Sequence, residues 1–161
     1  MEKIFFKKTA ELRRVKHDLE KKLNVKIDIA GRKITITGNP IEEYEASLVL
    51  NAINFGFSTQ KAISLKDENM IFRIISIKDF TRKKNLKTVR ARIIGKEGKT
   101  KKTIENISSC YLVIRDNDIG IIGSAESIDE IITAVTNLVR GTKQSNTYRY
   151  LEKMNRKITD L

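Results

Sequence analysis

IIGKEGKTKKTIE, residues 93–105, is the stretch whose reading decides the fold. Gly95 and Gly98 bracket Lys96 and Glu97, a lysine-rich turn follows, and Ile104 and Ile107 then fall at helical spacing. Two readings are open at this point. Either the glycines cap one helix and open the next, or the turn brings backbone N–H groups close to an anion. Glycine suits the second because it has no Cβ to obstruct the approach. The N-terminus of the following helix would add oriented donors and a partial positive charge.

Working outward, the flanking sequence repeats itself. NVKIDIAGRKITITGNPIEEYEASLVLNAINFG (24–56) aligns without a gap with SCYLVIRDNDIGIIGSAESIDEIITAVTNLVRG (109–141) at an offset of 85 residues. The offset pairs Gly38 with Gly123, Gly56 with Gly141, Ile27 with Leu112, and Ile36 with Ile121. Val25, Ile27 and Ile29 alternate, as do Ile34 and Ile36, which predicts two half-buried strands joined around Gly31. Asn39-Pro40 supplies a cap residue and a proline for the first helical position. In the second copy Ser127 and Glu130 have capping-box spacing, and Ile128, Ile131, Ile132, Val135, Leu138 and Val139 form one apolar face. A helix precedes each strand pair, with Leu12, Val15, Leu19 and Leu23 on one face in the first copy. Ser58–Leu65 reads as a short connecting helix, MIFRIISIKDF (70–80) as a strand, and the tail carrying Tyr148, Leu151, Ile158 and Leu161 as a closing helix from Thr147.

The same offset places Gly95–Gly98 opposite Ala10-Glu11-Leu12-Arg13, so the first copy lacks both glycines. Its first strand must come from Glu2–Phe6, with the next helix shortened or absent. The scaffold therefore does not require Gly95 and Gly98, and they are explained by what approaches the backbone there. The expected fold is α+β, with two tandem units of order β-α-α-β-β-α. These occupy 1–66, with a shortened start, and 67–161, which ends in a C-terminal helix.

Charge favours the anion reading. The 161 residues carry a formal charge of +12, which serves either a solvated surface or a nucleic-acid partner. Between Arg82 and Lys102 ten Lys or Arg stand against one acid, Glu97. A run centred on a glycine turn favours phosphate contact by counterion release. The lone Cys110 excludes a disulfide framework and a multi-cysteine metal site; it aligns with Val25 and reads as a buried strand residue. The lone His17 argues against histidine catalysis and is expected on an exposed helix face. No paired carboxylates, nucleophile arrangement or metal-ligand spacing is present, so neither an enzyme nor a cofactor or metal is expected. No apolar run approaches the roughly 20 residues of a membrane span, and Met1 is not followed by a signal-peptide core. A cytoplasmic protein with no membrane partner is expected.

At this point the residues resemble the KH domain of RNA-binding proteins, type I. IIGKEGKTKKTIE has that family's apolar pair, G-x-x-G, basic helix start and Ile-Glu. Over most of the chain, from about Leu12, the resemblance is to the archaeal two-KH proteins related to the eukaryotic small-subunit pre-rRNA processing factors. It rests on GFSTQKAISL (56–65), ARIIGKEGKTKKTIE (91–105) and GTKQSNTYRYLEKMNRKI (141–158). The short N-terminus departs from the eukaryotic members and agrees with an archaeal source.

The resemblance implies a non-catalytic factor that binds single-stranded RNA, near the 3′ end of small-subunit rRNA, in ribosome assembly and pre-rRNA processing. Implied partners are that RNA, the endonuclease that matures the 3′ end, and the alpha subunit of initiation factor two. A KH loop clamps about four nucleotides while bases lie on an apolar groove. The RNA-binding residues implied here are Arg90, Arg92, Ile94, Gly95, Lys96, Glu97, Gly98, Lys99, Lys101, Lys102, Ile114 and Arg115, with Ile93 and Ile107 as further groove candidates. The first unit, lacking G-x-x-G, is read as a degenerate scaffold. The alternatives are a general KH RNA binder or an adaptor in translation initiation or RNA decay, and a protein-interaction module whose RNA contact is incidental.

Overall fold

A computed structural model describes residues 1–160. The chain divides into two compact units, Met1–Glu68 and a second beginning at Asn69. In the first, strand β1 (Glu2–Phe5) leads to helix α1 (Ala10–Leu23), the hairpin β2 (Lys26–Ala30) and β3 (Lys33–Thr37), and helix α2 (Pro40–Phe55). A short helix α3 (Thr59–Ala62) and a 3-10 turn, Ile63–Lys66, follow. In the second, β4 (Met70–Ser76) precedes α4 (Leu86–Ile94), α5 (Lys99–Ser108), β5 (Tyr111–Arg115), β6 (Asp118–Ser124), α6 (Ile128–Arg140) and α7 (Gln144–Thr159). The fold is α+β. Each unit holds a three-stranded antiparallel sheet with the last strand in the middle, β1-β3-β2 and β4-β6-β5.

The 85-residue offset extends to individual hydrogen bonds. Glu20 Oε2 accepts the Ile27 N–H at 2.9 Å, and Glu105 Oε2 accepts the Leu112 N–H at 3.0 Å. Both donors lie on an edge strand, where an outward N–H has no ladder partner. Asn24 and Ser109 both end their helices in the left-handed region, at φ 53° and 50°. Gly56 and Gly141 do the same for α2 and α6 at φ 134° and 115°, a conformation that costs a residue with a Cβ about 1–2 kcal/mol.

The core of the second unit is built from Ile77, Val89, Ile93, Ile104, Leu112, Ile119, Ile121 and the apolar face of α6, closed by Leu151 of α7. In the first unit Leu12, Leu19, Leu23, Ile27, Ile34 and Ile36 are buried. Each such side chain contributes roughly 1.5–3 kcal/mol by leaving water. No helix of the described residues is long and apolar enough to cross a membrane.

Several local expectations change. The strand read over 70–80 stops at Ser76, because Ile77–Asp79 turn as a 3-10 segment that drops Ile77 into the core. The closing helix starts at Gln144, three residues before Thr147, which is buried; Leu161 lies outside the described residues. Asn39 does cap α2, its Oδ1 accepting the Glu42 N–H at 2.9 Å. Ser127 caps nothing, since its hydroxyl instead accepts a hydrogen bond from Ser124 Oγ at 2.9 Å. Between β1 and α1 there is no helix, and Ala10–Arg13 are the first turn of α1 itself. Where the second unit breaks for a glycine turn, the first runs on as helix, because Ala, Glu, Leu and Arg are good helix formers.

Candidate nucleic-acid interface

Helix α4 ends at Ile94, and Gly95 leaves it at φ 77°, ψ 173° with its N–H on Ala91 O at 2.8 Å. Lys96–Gly98 form one 3-10 turn, and Gly98 N–H closes it on Gly95 O at 3.2 Å. Glu97 and Gly98 both take left-handed backbone, φ 56° and 75°, so the Glu97 side chain stands out in solvent. Helix α5 then starts at Lys99 with Gly98 as its N-cap, so no side-chain acceptor covers its first turn.

The two glycines do different work, which corrects the sequence expectation that the scaffold needs neither. A Cβ at Gly98 would meet nothing within 4 Å, so only the backbone angle favours glycine there. A Cβ at Gly95 would overlap the Thr100 hydroxyl and lie 2.6 Å from Thr100 Cβ and 2.7 Å from Thr100 N. Gly95 is thus required by the close passage of α5 past the end of α4, whatever else approaches the turn. The first unit escapes this requirement because it has no such turn.

The predicted contact side chains separate into three groups. Lys96, Lys99 and Lys102 are exposed, form no ion pair among the described residues, and line an open depression with Glu97 and Thr103. Ile94, the last residue of α4, and Ile114 of β5 are half-buried, Ile114 packing on the core. Arg90, Arg92 and Lys101 are engaged internally. Arg90 Nη1 donates to Asn117 Oδ1 at 2.6 Å. Arg92 Nη2 donates to Gly141 O and Thr142 O, at 2.9 and 2.6 Å, and so ties α4 to the chain that leaves α6. Lys101 Nζ pairs with Glu105 Oε1 at 3.1 Å. Arg115 is half-buried opposite Asp118 on the neighbouring strand.

Ile93 is fully buried and cannot line a groove, while Ile107 packs partly buried against the core. Cys110 is buried, and burial followed by the charge of Glu105 pushes its thiol up to about 12. His17 is exposed on α1, with Nδ1 3.4 Å from Glu20 Oε1. Sequence reasoning missed Thr100, Asn117 and the two glutamates. Only the glutamates left a signal, since Glu20 and Glu105 stand 85 apart.

A glycine turn opening a basic helix, within the order β-α-α-β-β-α, is the geometry that comparison with known proteins identifies. Residues 71–156 match the family model of the second KH domain of PNO1, a eukaryotic-type KH domain (KH-domain type I). The chain belongs to this KH family. It is 32% identical over 151 residues to a KH domain-containing protein of Methanocaldococcus jannaschii, covering 89% of this chain and 66% of that protein. It is 30% identical over 142 residues to the pre-rRNA-processing protein pno1 of Emericella nidulans, covering 83% of this chain and 55% of that one. The chain thus spans less than two thirds of these curated relatives. Among solved structures, Dim2p of Pyrococcus horikoshii superposes with a TM-score of 0.84 at 30% identity, covering 94% of this chain and 98% of that one. The same archaeal protein in a complex of a/eIF2alpha, aDim2p and rRNA gives 0.83 at 28% identity, covering 97% and 94%. The KH resemblance read from ARIIGKEGKTKKTIE is the family these comparisons return.

Proposed function

We propose that this chain binds single-stranded RNA through the Gly95–Gly98 turn, with small-subunit rRNA near its 3′ end as the target, in ribosome assembly and pre-rRNA processing. The observation that carries the reading is the set of exposed, unpaired Lys96, Lys99 and Lys102 around an uncapped helix start. Phosphate oxygens would accept from those ammonium groups and from backbone N–H groups of the turn. Gly95 and Gly98 shape the turn, their own N–H groups being bonded to Ala91 O and Gly95 O, Glu97 contributes backbone, and Ile94 and Ile114 offer apolar surface for bases. Arg90, Arg92, Lys101 and Arg115 hold this surface in shape from within. The second unit is then a KH domain with a C-terminal helix. The first, 1–66, is a degenerate KH-like unit, whose shared strand order and matching Glu20 and Glu105 bonds support the assignment. The chain acts in the cytoplasm as a binding factor with no catalytic step of its own.

The relatives supply the biological setting, since one is named for pre-rRNA processing and another is solved with rRNA and a/eIF2alpha. That complex also supports the alpha subunit of initiation factor two as a partner, and the 3′-end endonuclease is a further partner that the KH resemblance implies. Fluorescence anisotropy with an oligonucleotide of the small-subunit 3′ end, across a salt series, tests the reading. Removing Lys96, Lys99 and Lys102 together lowers the log-log salt slope by about 2, at roughly 0.7 per phosphate contact on a single strand. An unchanged slope and affinity in that variant overturn it.

A further inference from the structure

A second basic cluster lies outside the turn. Arg82, Lys83, Lys84 and Lys87 are all exposed, and none forms an ion pair among the described residues. Their segment is held at both ends. Phe80 packs on the core with the Arg140 guanidinium 5.3 Å from its ring centre. Thr81 Oγ1 accepts the Lys83 N–H at 3.2 Å, and Asn85 Oδ1 accepts the Thr88 N–H at 3.4 Å to cap α4. The charges therefore sit on a segment anchored at Phe80 and at the start of α4. No acid stands in the first turn of α4, as in α5 and α7, whereas α1, α2 and α6 carry Glu11, Glu42 and Glu43, and Asp129 and Glu130 there. Four like charges repel one another, and nothing in this unit's own sequence from 80 to 96 offsets them.

The cluster is also in line with the glycine turn. Helix α4 has nine residues, so about 13 Å of helix separates its start from Gly95. Lys87, Arg90, Ala91 and Ile94 share one face of it by their spacing. We propose that Arg82, Lys83, Lys84 and Lys87 form a second phosphate-contacting station, holding the RNA strand that runs along α4 beyond the nucleotides clamped at Gly95–Gly98. The inference rests on the RNA-binding reading above and deepens it: the ligand is a strand longer than the clamp alone requires. At physiological salt the Debye length is about 8 Å, shorter than the separation. The station therefore acts only by touching phosphate and adds little to the field at the turn.

That makes the effect depend on RNA length. The full chain and its Arg82→Ala/Lys83→Ala/Lys84→Ala variant are titrated with 5-nucleotide and 12-nucleotide single strands over a salt series. With the 12-mer, the variant loses roughly tenfold or more in affinity and about 2 in salt slope, from three contacts at roughly 0.7 each. With the 5-mer, which fills the clamp of about four nucleotides, it binds as the parent does. Equal affinities at both lengths make the cluster a solvated surface, and equal losses at both make it a distant field; either result overturns the station. The clamp is judged separately, by whether the Lys96→Ala/Lys99→Ala/Lys102→Ala variant loses the 5-mer, so each assignment can fail without the other.

Discussion

Replacing Gly95 by alanine separates what the turn needs for folding from what it needs for RNA. At φ 77°, ψ 173° the backbone lies in a region reserved almost wholly for glycine, and forcing a side chain into it costs about 1–3 kcal/mol. The new Cβ would also collide with Thr100, 2.6 Å from its Cβ and 2.7 Å from its amide nitrogen. Overpacking of this kind costs a further 1–3 kcal/mol or so. The sum is about 4 kcal/mol. Gly98→Ala meets no neighbour within 4 Å and carries only the left-handed backbone cost of roughly 1–2 kcal/mol. In urea, with a slope near 2 kcal/mol/M, Gly95→Ala lowers the midpoint by about 2 M and Gly98→Ala by about 0.5–1 M, followed by circular dichroism. Thr100→Ala does not rescue Gly95→Ala, because the amide nitrogen and Cβ remain. Equal midpoints for the two glycine variants would refute the reasoning. The consequence for binding studies is direct: aspartate belongs at Gly98, where left-handed backbone accepts it, and not at Gly95, where lost binding would only report lost structure.

Other substitutions follow from the same contacts. Arg92→Ala removes two bonds to the carbonyls just beyond α6 and lowers stability by about 2 kcal/mol, while the salt slope of RNA binding stays as it was. Glu105→Ala strands the Leu112 N–H and costs about 1–3 kcal/mol; Glu20→Ala does the same for Ile27, and urea midpoints check both. Cys110→Val costs less than about 1.5 kcal/mol at neutral pH, since Val25 is its counterpart in the first unit. Because the folded thiol holds its proton up to about pH 12, against 9.0 ordinarily, both states are protonated below pH 9. Above it the unfolded chain ionises first, so stability falls between pH 9 and 12, by up to about 4 kcal/mol. Alkaline unfolding of the parent is therefore steeper than that of Cys110→Val, and parallel curves would contradict it.

Much was legible from local pattern alone. Strand alternation in 25–36 and the Asn39-Pro40 start depend on neighbours close in sequence, the 85-residue repeat shows the same local pattern twice, and these elements formed where their residues prefer to be. The lysines of 96–102 set the expectation of an anionic partner by charge, which composition carries without any fold. What sequence by itself could not determine was which cations are free. Arg90, Arg92 and Lys101 look the same as Lys96 and Lys99 in a string of letters. Only folding brings Asn117, the end of α6 and Glu105 to the first three and leaves the others to solvent. The glycines divide in the same way. The sequence alone showed that the first copy lacks both, and the structure that α1 runs on through Ala10–Arg13 in their place. Tertiary structure decided that Gly95 is held by Thr100 and Gly98 is not, because a steric demand depends on what packs across the turn.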